Sequence, residues 1–283
     1  MKDKVVIITG ANRGIGKEAA KEIAGKGAKV YIACRSLDSA NEAKEEIVKE
    51  AKNVNVFVSE MDLASVESIN KFAASFKEEE SGLDVLINNA GISSRSKKLN
   101  VAGVELTFAI NVLGHHILTK LLIDFLKKSS PSRIINVASE YAGGLDLNDI
   151  NFDNRNYDTT AAYKQSKQAN RMLTREWAKR LSEKNISVYS MTPGWVPDTD
   201  LFREQSTLNK AVIKTFGLVG GRSVEQGTDT IVWLASSDKV DGNDGGFFKD
   251  RKELPCKFNN PEEEKKLWDI CEKLMKKEIQ KEK

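Results

Sequence analysis

The 283-residue sequence predicts an α/β fold: a doubly wound parallel sheet of about seven strands flanked by helices. Three observations carry that expectation. Short runs rich in Val and Ile alternate with amphipathic stretches of helical period along most of the chain. The runs are continuously apolar, as parallel strands covered on both faces require. No repeat or low-complexity linker interrupts the alternation, and α/β chains of this length commonly form one domain, here taken as residues 1–283.

The elements follow in order. Val5–Thr9 is the first strand, five β-branched residues running into the glycine turn. The next helix lies near Gly16–Gly25. Lys29–Ala33 is the second strand, and Ser39–Lys49 is a helix whose Lys and Glu residues form a solvated face. Val54–Glu60 is strand-like, and Ser65–Phe76 is helical. Val85–Asn88 is the fourth strand, followed by a long helical stretch over Val104–Lys127. Arg133–Ala138 and Ser187–Met191 are strands on either side of a Thr160–Ser182 helix. A helix over Val224–Ser236 and a weaker strand at Gly246–Lys249 complete the alternation.

Three segments stand outside it. Tyr141–Asp158, rich in Asn, Asp and Gly, reads as a long loop. Residues 195–222 mix apolar and polar groups after a Pro-Gly and read as a substrate lid, with a fixed helical connection as the alternative. Residues 254–283 read as a C-terminal extension ending in a Lys/Glu-rich helix. Long loops at strand carboxyl ends are where α/β sheets place their ligand crevice.

Composition excludes several function classes. The net charge of +3 is the difference of 44 basic and 41 acidic residues, and no basic stripe with interleaved aromatics marks a nucleic-acid binder. Cys34, Cys256 and Cys271 form no CxxC and suit a reducing compartment. Met1-Lys2-Asp3-Lys4 runs into the first strand without a signal-peptide pattern. Val104–Leu126 carries Glu105, Asn111, two histidines, Lys120 and Asp124, too polar a set for a span. A soluble, cytoplasmic protein with no membrane span is expected. His115 and His116 are adjacent, point to different helix faces, and read as a core and a surface histidine; no metal is expected.

The chemistry sits in an ordered series of motifs. The first strand opens into Thr9-Gly10-Ala11-Asn12-Arg13-Gly14-Ile15-Gly16, glycines between a strand and a helix. Such a turn lets backbone approach a pyrophosphate at a helix N-terminus, the arrangement of a Rossmann-type dinucleotide site. At the end of the second strand, where an acidic residue would accept from a ribose 2′-hydroxyl, the chain has Cys34-Arg35-Ser36. Arg35, with Arg13 as a second guanidinium, suits a 2′-phosphate and therefore NADP. Tyr163 and Lys167 are four residues apart and share a helix face, where an ammonium would lower the phenol pKa from about 10 toward working pH. That pairing makes a general acid/base.

Taken together, the glycine turn, Asn88-Asn89-Ala90-Gly91, Asn111, Ser139 and Tyr163-Lys164-Gln165-Ser166-Lys167 make the chain resemble a short-chain dehydrogenase/reductase from about Val5 to Gly194. Within that superfamily it is similar to the retinol dehydrogenase-like branch. The likeness there lies in Ala33-Cys34-Arg35, Asn111-Val112-Leu113-Gly114-His115, the long segment from Ser139 to Tyr163, Gly246–Asp250 and Leu267-Trp268. The resemblance implies that Gly10, Asn12, Arg13 and Ile15 line the pyrophosphate and adenosine side. It places Arg35 at the 2′-phosphate, Asp62 and Leu63 at the adenine, and Asn89 and Ala90 at the cofactor ribose. Ser139 would polarise the substrate carbonyl, and Tyr163 would give its proton. Lys167 would hold the nicotinamide ribose, and Asn111 a water linking Lys167 to solvent.

Two departures stand out. Ala138-Ser139 replaces the usual Ser-Ser, keeping the catalytic member. In Pro193-Gly194-Trp195-Val196-Pro197-Asp198-Thr199 the threonine comes one place late, leaving Val196 and Thr199 as candidates for the nicotinamide carboxamide. Membrane-bound members carry an N-terminal anchor that the opening residues do not show, so a retinoid substrate is not carried over. The expectation is an NADP(H)-dependent carbonyl–alcohol oxidoreductase, reducing a small lipophilic aldehyde or ketone, and the resemblance suggests a homo-oligomer. The rival reading is an NADP(H)-binding regulatory or redox-sensor protein with little turnover.

Overall fold

A strand order that doubles back on itself places the loops of the candidate site along one edge of the sheet. The computed structural model describes residues 1–197, 221–240 and 244–281. The strands are β1 (Val5–Thr9), β2 (Lys29–Cys34), β3 (Val56–Glu60), β4 (Val85–Asn88), β5 (Ser132–Val137), β6 (Ile186–Met191), β7 (Phe247–Lys249) and β8 (Lys252–Leu254). Their order is β3-β2-β1-β4-β5-β6-β7-β8. Every pairing is parallel except β7 with β8. The chain winds outward from β1 to β3, then returns to pair β4 on the other side of β1, and a crevice opens beyond the carboxyl ends of these two strands.

Period-two alternation sorts the side chains onto two cores. On one side Val6 and Ile8 pack beneath α1 (Gly14–Gly25) and α2 (Leu37–Ala51). On the other, Ile7 joins the core of α3 (Val66–Glu79). The short α4 (Leu106–Phe108), a π-helical turn at Ala109–Gly114, α5 (His115–Lys128) and α6 (Thr159–Leu181) extend that second core. The first side is completed by α7 (Val224–Ser236), the second by α8 (Pro261–Lys281). Each fully buried Val or Ile contributes about 1.5–3 kcal/mol relative to exposure.

Local side-chain bonds set the element ends where the sequence reading was off. The helix expected from Ser39 begins at Leu37 because Ser36 is its cap and accepts from the Ser39 N–H. The third strand starts at Val56 because Asn53 holds a turn, accepting from the Asn55 N–H and donating to the carbonyls of Ala24 and Ala28. Tyr141–Asp158 carries no helix or strand, as expected.

An eighth strand was missed. Asp250 and Arg251 both have positive φ, +51° and +59°, the backbone of a two-residue hairpin usually made with Asn-Gly. Arg251 is tied there by Asp229 and by its N–H to Thr230.

The single helix expected over Val104–Lys127 is instead three pieces. Buried Glu105 caps α4, accepting from the N–H groups of Thr107 and Phe108 at 2.9 and 2.8 Å, and the π-helical turn follows at once. By length and composition Leu106–Lys128 does qualify as apolar enough to cross a membrane, contrary to the sequence reading. Its apolar window is 78% buried within the protein, so here it is a core helix.

His116 is buried too, which corrects the expected surface histidine. The C-terminal helix α8 covers it: Glu272 meets its Nε2 at 2.9 Å, and its ring lies 4.7 Å from Trp268 and 5.4 Å from Trp177. Lys120 bonds both oxygens of Glu272, and Arg180 stacks on Trp268 at 4.1 Å. Replacing Trp268 by Ala should lower unfolding stability by ~3–5 kcal/mol. Urea unfolding measures this, and a loss under about 1 kcal/mol would show α8 to be peripheral to the folded core.

Candidate active site

The end of β1 is shaped for close backbone approach. Gly10 has φ +66°, and a Cβ there would lie 3.0 Å from Ala90. A Cβ on Gly16 would sit 2.6 Å from the Gly10 carbonyl oxygen and collide with the Asn89 amide as well. The turn therefore requires glycine at both positions. Arg13, the cap residue of α1, makes no side-chain cap, and Gly14, Ile15 and Gly16 of the first turn line the adjoining cavity. Uncapped N–H groups at the start of a twelve-residue helix fit a pyrophosphate.

The cavity has a volume of about 950 Å³ and runs along the carboxyl edge from β2 to β6. Gly10, Asn12, Arg13, Ile15, Arg35, Asp62, Leu63, Asn89, Ala90, Ser139, Tyr163, Lys167 and Val196 all line it. Asn111 does not, and Thr199 lies outside the described residues, as does most of the 195–222 segment read as a lid.

At the outer end Arg13 and Arg35 are exposed, and Arg35 makes no ion pair with any described residue. Asp62 is the carboxylate on this wall, and it is engaged, accepting from the Ala64 N–H at 2.9 Å. Cys34 beside them stays a neutral thiol, pushed up to about 11 by burial, with Arg13 pulling the other way. Asn12 is turned aside to donate to Ser39 at 2.9 Å.

The inner wall is the end of β5 and one face of α6. Ser139 is half-buried, and its Oγ accepts from the Tyr141 N–H at 3.0 Å. Lys167 is buried and donates to the Val137 carbonyl at 2.8 Å, with its Nζ 5.7 Å from the centre of the Tyr163 ring. The expected lowering of the Tyr163 pKa is not found. Burial pushes that phenol up to about 12, while a hydrogen bond with Ser139 pulls it back in part. Burial also brings Lys167 down to about 8. The physical reason is that both groups share one desolvated wall, where loss of water disfavours the charged form of each.

Asn111 stands one layer behind. Its Oδ1 accepts from the Ile92 N–H at 2.8 Å, and its Nδ2 donates to the Ile92 carbonyl and the Ser166 hydroxyl, each at 3.0 Å. It sits in the π-helical turn, a deviation that gathers at functional sites.

The sequence reading missed Gly91, Ile92, Ser93, Ser94, Leu106 and Ile110, which complete the wall. The available signal was adjacency: four of them follow Asn89-Ala90 directly, and Leu106 and Ile110 precede Asn111 at helical spacing. No cluster of three metal-ligating side chains forms among the described residues.

Comparison with known proteins agrees with this geometry. The sequence model of the family described as short chain dehydrogenase matches residues 4–210. Human retinol dehydrogenase 13 is 38% identical over 94% of this chain and 82% of its own length. Human retinol dehydrogenase 14 is 39% identical, covering 96% and 86%. Among solved structures, an uncharacterized protein of Mycobacterium paratuberculosis superposes with a TM-score of 0.77 at 30% identity, over 97% of this chain and 94% of that one. A candidate NAD(P)-dependent gluconate 5-dehydrogenase of Beutenbergia cavernae, solved with NADP at low occupancy, gives 0.69 at 25% identity, covering 88% and 95%. The chain belongs to the short-chain dehydrogenase/reductase family, on its retinol dehydrogenase-like branch, and is an NAD(P)-using oxidoreductase of carbonyls and alcohols.

Proposed function

We propose that the protein reduces a lipophilic aldehyde or ketone with NADPH. The observation that carries the reading is the convergence of Ser139, Tyr163 and Lys167 on the cavity that also holds the glycine turn and the two arginines. Bound NADPH would supply the hydride. The Ser139 hydroxyl donates to the carbonyl oxygen and fixes its position, and Tyr163 delivers the proton to that oxygen as it becomes an alkoxide. Burial pushes the phenol up to about 12, so it keeps its proton throughout the physiological range, which suits the donor role.

Lys167 holds the ribose side of the cofactor, and Asn111 steadies the wall behind it, with a water between Lys167 and solvent as part of the same reading. Arg35 and Arg13 receive the 2′-phosphate, Asp62 and Leu63 flank the adenine, and Val196 borders the nicotinamide end. The apolar groups Ile92, Leu106, Ile110 and Trp195 support a lipophilic substrate, as do relatives named for retinol.

Replacing Tyr163 by Phe should cut kcat at least ~10²-fold while largely sparing NADPH affinity. Single-turnover absorbance at the reduced-nicotinamide band, together with cofactor titration, measures both, and near-normal kcat in that variant would remove Tyr163 from the proton step.

Cofactor choice rests on Arg35. Each charge-assisted bond to a phosphate contributes roughly 1.5–3 kcal/mol, so Arg35→Asp should move preference from NADPH toward NADH by about tenfold or more. Equal affinity of the parent protein for the two cofactors would overturn the assignment.

Lys167 sets an alkaline limit. It is charged below about pH 8 and neutral above, so kcat/KM for reduction should be level on the acid side and decline as pH rises through about 8. Rate profiles from neutral to alkaline pH measure this, with Lys167→Arg shifting the decline upward. A wild-type profile without a break there would count against the role given to the ammonium.

A further inference from the structure

One hydroxyl on the cavity wall is held rigidly and has nothing to bond. Ser93 lines the cavity and is only 7% exposed. Its neighbours are fastened on both sides. The N–H and carbonyl of Ile92 are both taken by the Asn111 amide. The Ser94 N–H donates to Thr107 at 3.4 Å, the Ser94 carbonyl accepts from Tyr157 at 3.0 Å, and the Ser94 hydroxyl donates to the Ser96 carbonyl at 2.9 Å. Ser93 Oγ alone in this stretch has no hydrogen-bond partner among the described residues, and it is not among the side-chain atoms sealed from the cavity.

A hydroxyl that opens on the cavity and has no protein partner is left to bond whatever the cavity holds. No side chain among the described residues hydrogen-bonds it, although Asn89, Ser139 and Lys167 line the same cavity. The segment is also close to the reacting groups. A Cβ on Gly91 would lie 3.6 Å from Lys167 Nζ, and two residues of chain span at most about 7 Å.

We propose that Ser93 is a specificity-determining residue that hydrogen-bonds a second oxygen on the substrate, so that the preferred substrate is a lipophilic carbonyl compound bearing a hydroxyl or further carbonyl near its reacting end. This rests on the reductase reading above. Because the segment is pinned by Asn111, Thr107 and Tyr157, the hydroxyl is already in place before substrate arrives. A site built around a polar contact discriminates against the analogue lacking it more strongly than an apolar pocket discriminates by size.

The test uses the 283-residue protein, NADPH, and matched aldehydes: benzaldehyde beside its 2-hydroxy and 3-hydroxy counterparts. The ratio of kcat/KM for hydroxylated over parent aldehyde is measured in wild type, Ser93→Ala and Ser93→Thr. Comparing ratios between variants cancels the electronic effect of the ring hydroxyl. Wild type should favour at least one hydroxylated member by about five- to tenfold, the Ala variant should lose most of that preference, and the Thr variant should keep it. A merely structural role for Ser93 would shift all the aldehydes together and leave the ratios alone.

Equal ratios in wild type and the Ala variant overturn the proposal. So does an Ala variant whose only change is a raised KM for NADPH, since the hydroxyl would then face the cofactor. Failure of every aldehyde to oxidise NADPH overturns the reductase reading and this proposal with it, whereas turnover without discrimination overturns this proposal alone.

Discussion

The hydroxyl of Thr9 is the joint on which the site is assembled. It stands at the carboxyl end of β1, where the sheet changes its direction of winding, and accepts from the N–H groups of Asn89 and Ala90, each at 2.9 Å. Those two bonds fill its acceptor positions, so its own proton goes to His115 Nε2 at 3.0 Å rather than to the Ile87 carbonyl at 3.5 Å. The tautomer of His115 follows. Its Nδ1 carries the proton and donates to the Asn111 carbonyl at 3.2 Å. Burial agrees, holding His115 down to about 4 and therefore neutral. One serial set of bonds thus joins the glycine turn, the loop after β4 and the π-helical turn behind Lys167.

How much of this was legible in sequence divides by the range of the interaction. The glycine turn, the arginines and the Tyr163/Lys167 spacing were readable because each is a local pattern with a direct physical meaning. Strand and helix identities were readable from apolar runs, while their ends were not, since Ser36 and Asn53 act through side-chain bonds that pattern does not report. The hairpin at Asp250-Arg251 was hidden because its backbone is imposed by Asp229 and Thr230, about twenty residues away, rather than by Asn or Gly. The fate of His116 was unreadable for the same reason: it depends on Glu272 and Trp268 at the other end of the chain. The pKa of Tyr163 was misread because spacing reveals the neighbouring ammonium but not the loss of water around both groups.

That loss of water is itself a cost, and the core sustains it. Lys167 is a buried ammonium with no carboxylate partner among the described residues, held by the Val137 carbonyl. Between pH 8 and 10.5 the folded chain has released this proton while the unfolded chain still binds it, so this group makes folding more favourable as pH rises through that window. At neutral pH the fold therefore tolerates an unfavourable charge where chemistry needs one. Two-sided burial of the sheet provides the margin, reinforced by the buried amide pair in which Asn88 donates to Asn136 at 2.8 Å and Asn136 to Thr174 at 2.9 Å. Those bonds tie β4 and β5 to α6, two turns beyond Lys167.

The same accounting of bonds separates scaffold from chemistry along the cavity. Asn89 spends its amide on the carbonyls of Thr9 and Gly10, Asn12 on Ser39, Asp62 on Ala64, and Asn111 on Ile92 and Ser166. These groups hold the wall in shape, and their bonding capacity is largely consumed in doing so. What remains toward the cavity includes the uncapped N–H groups at the start of α1, Arg35, Ser139 and Tyr163 bonded to each other, the remaining N–H groups of Lys167 and the Ser93 hydroxyl. In a preorganised site, selectivity falls to whichever groups the scaffold has left unbonded, because only they change partners when substrate enters. On the proposed reading the N–H groups and Arg35 take the cofactor phosphates, Lys167 the ribose, and Ser139 and Tyr163 the reacting carbonyl. Ser93 is then the group left for the rest of the substrate, and the proposed discrimination between one carbonyl compound and another falls to that residue.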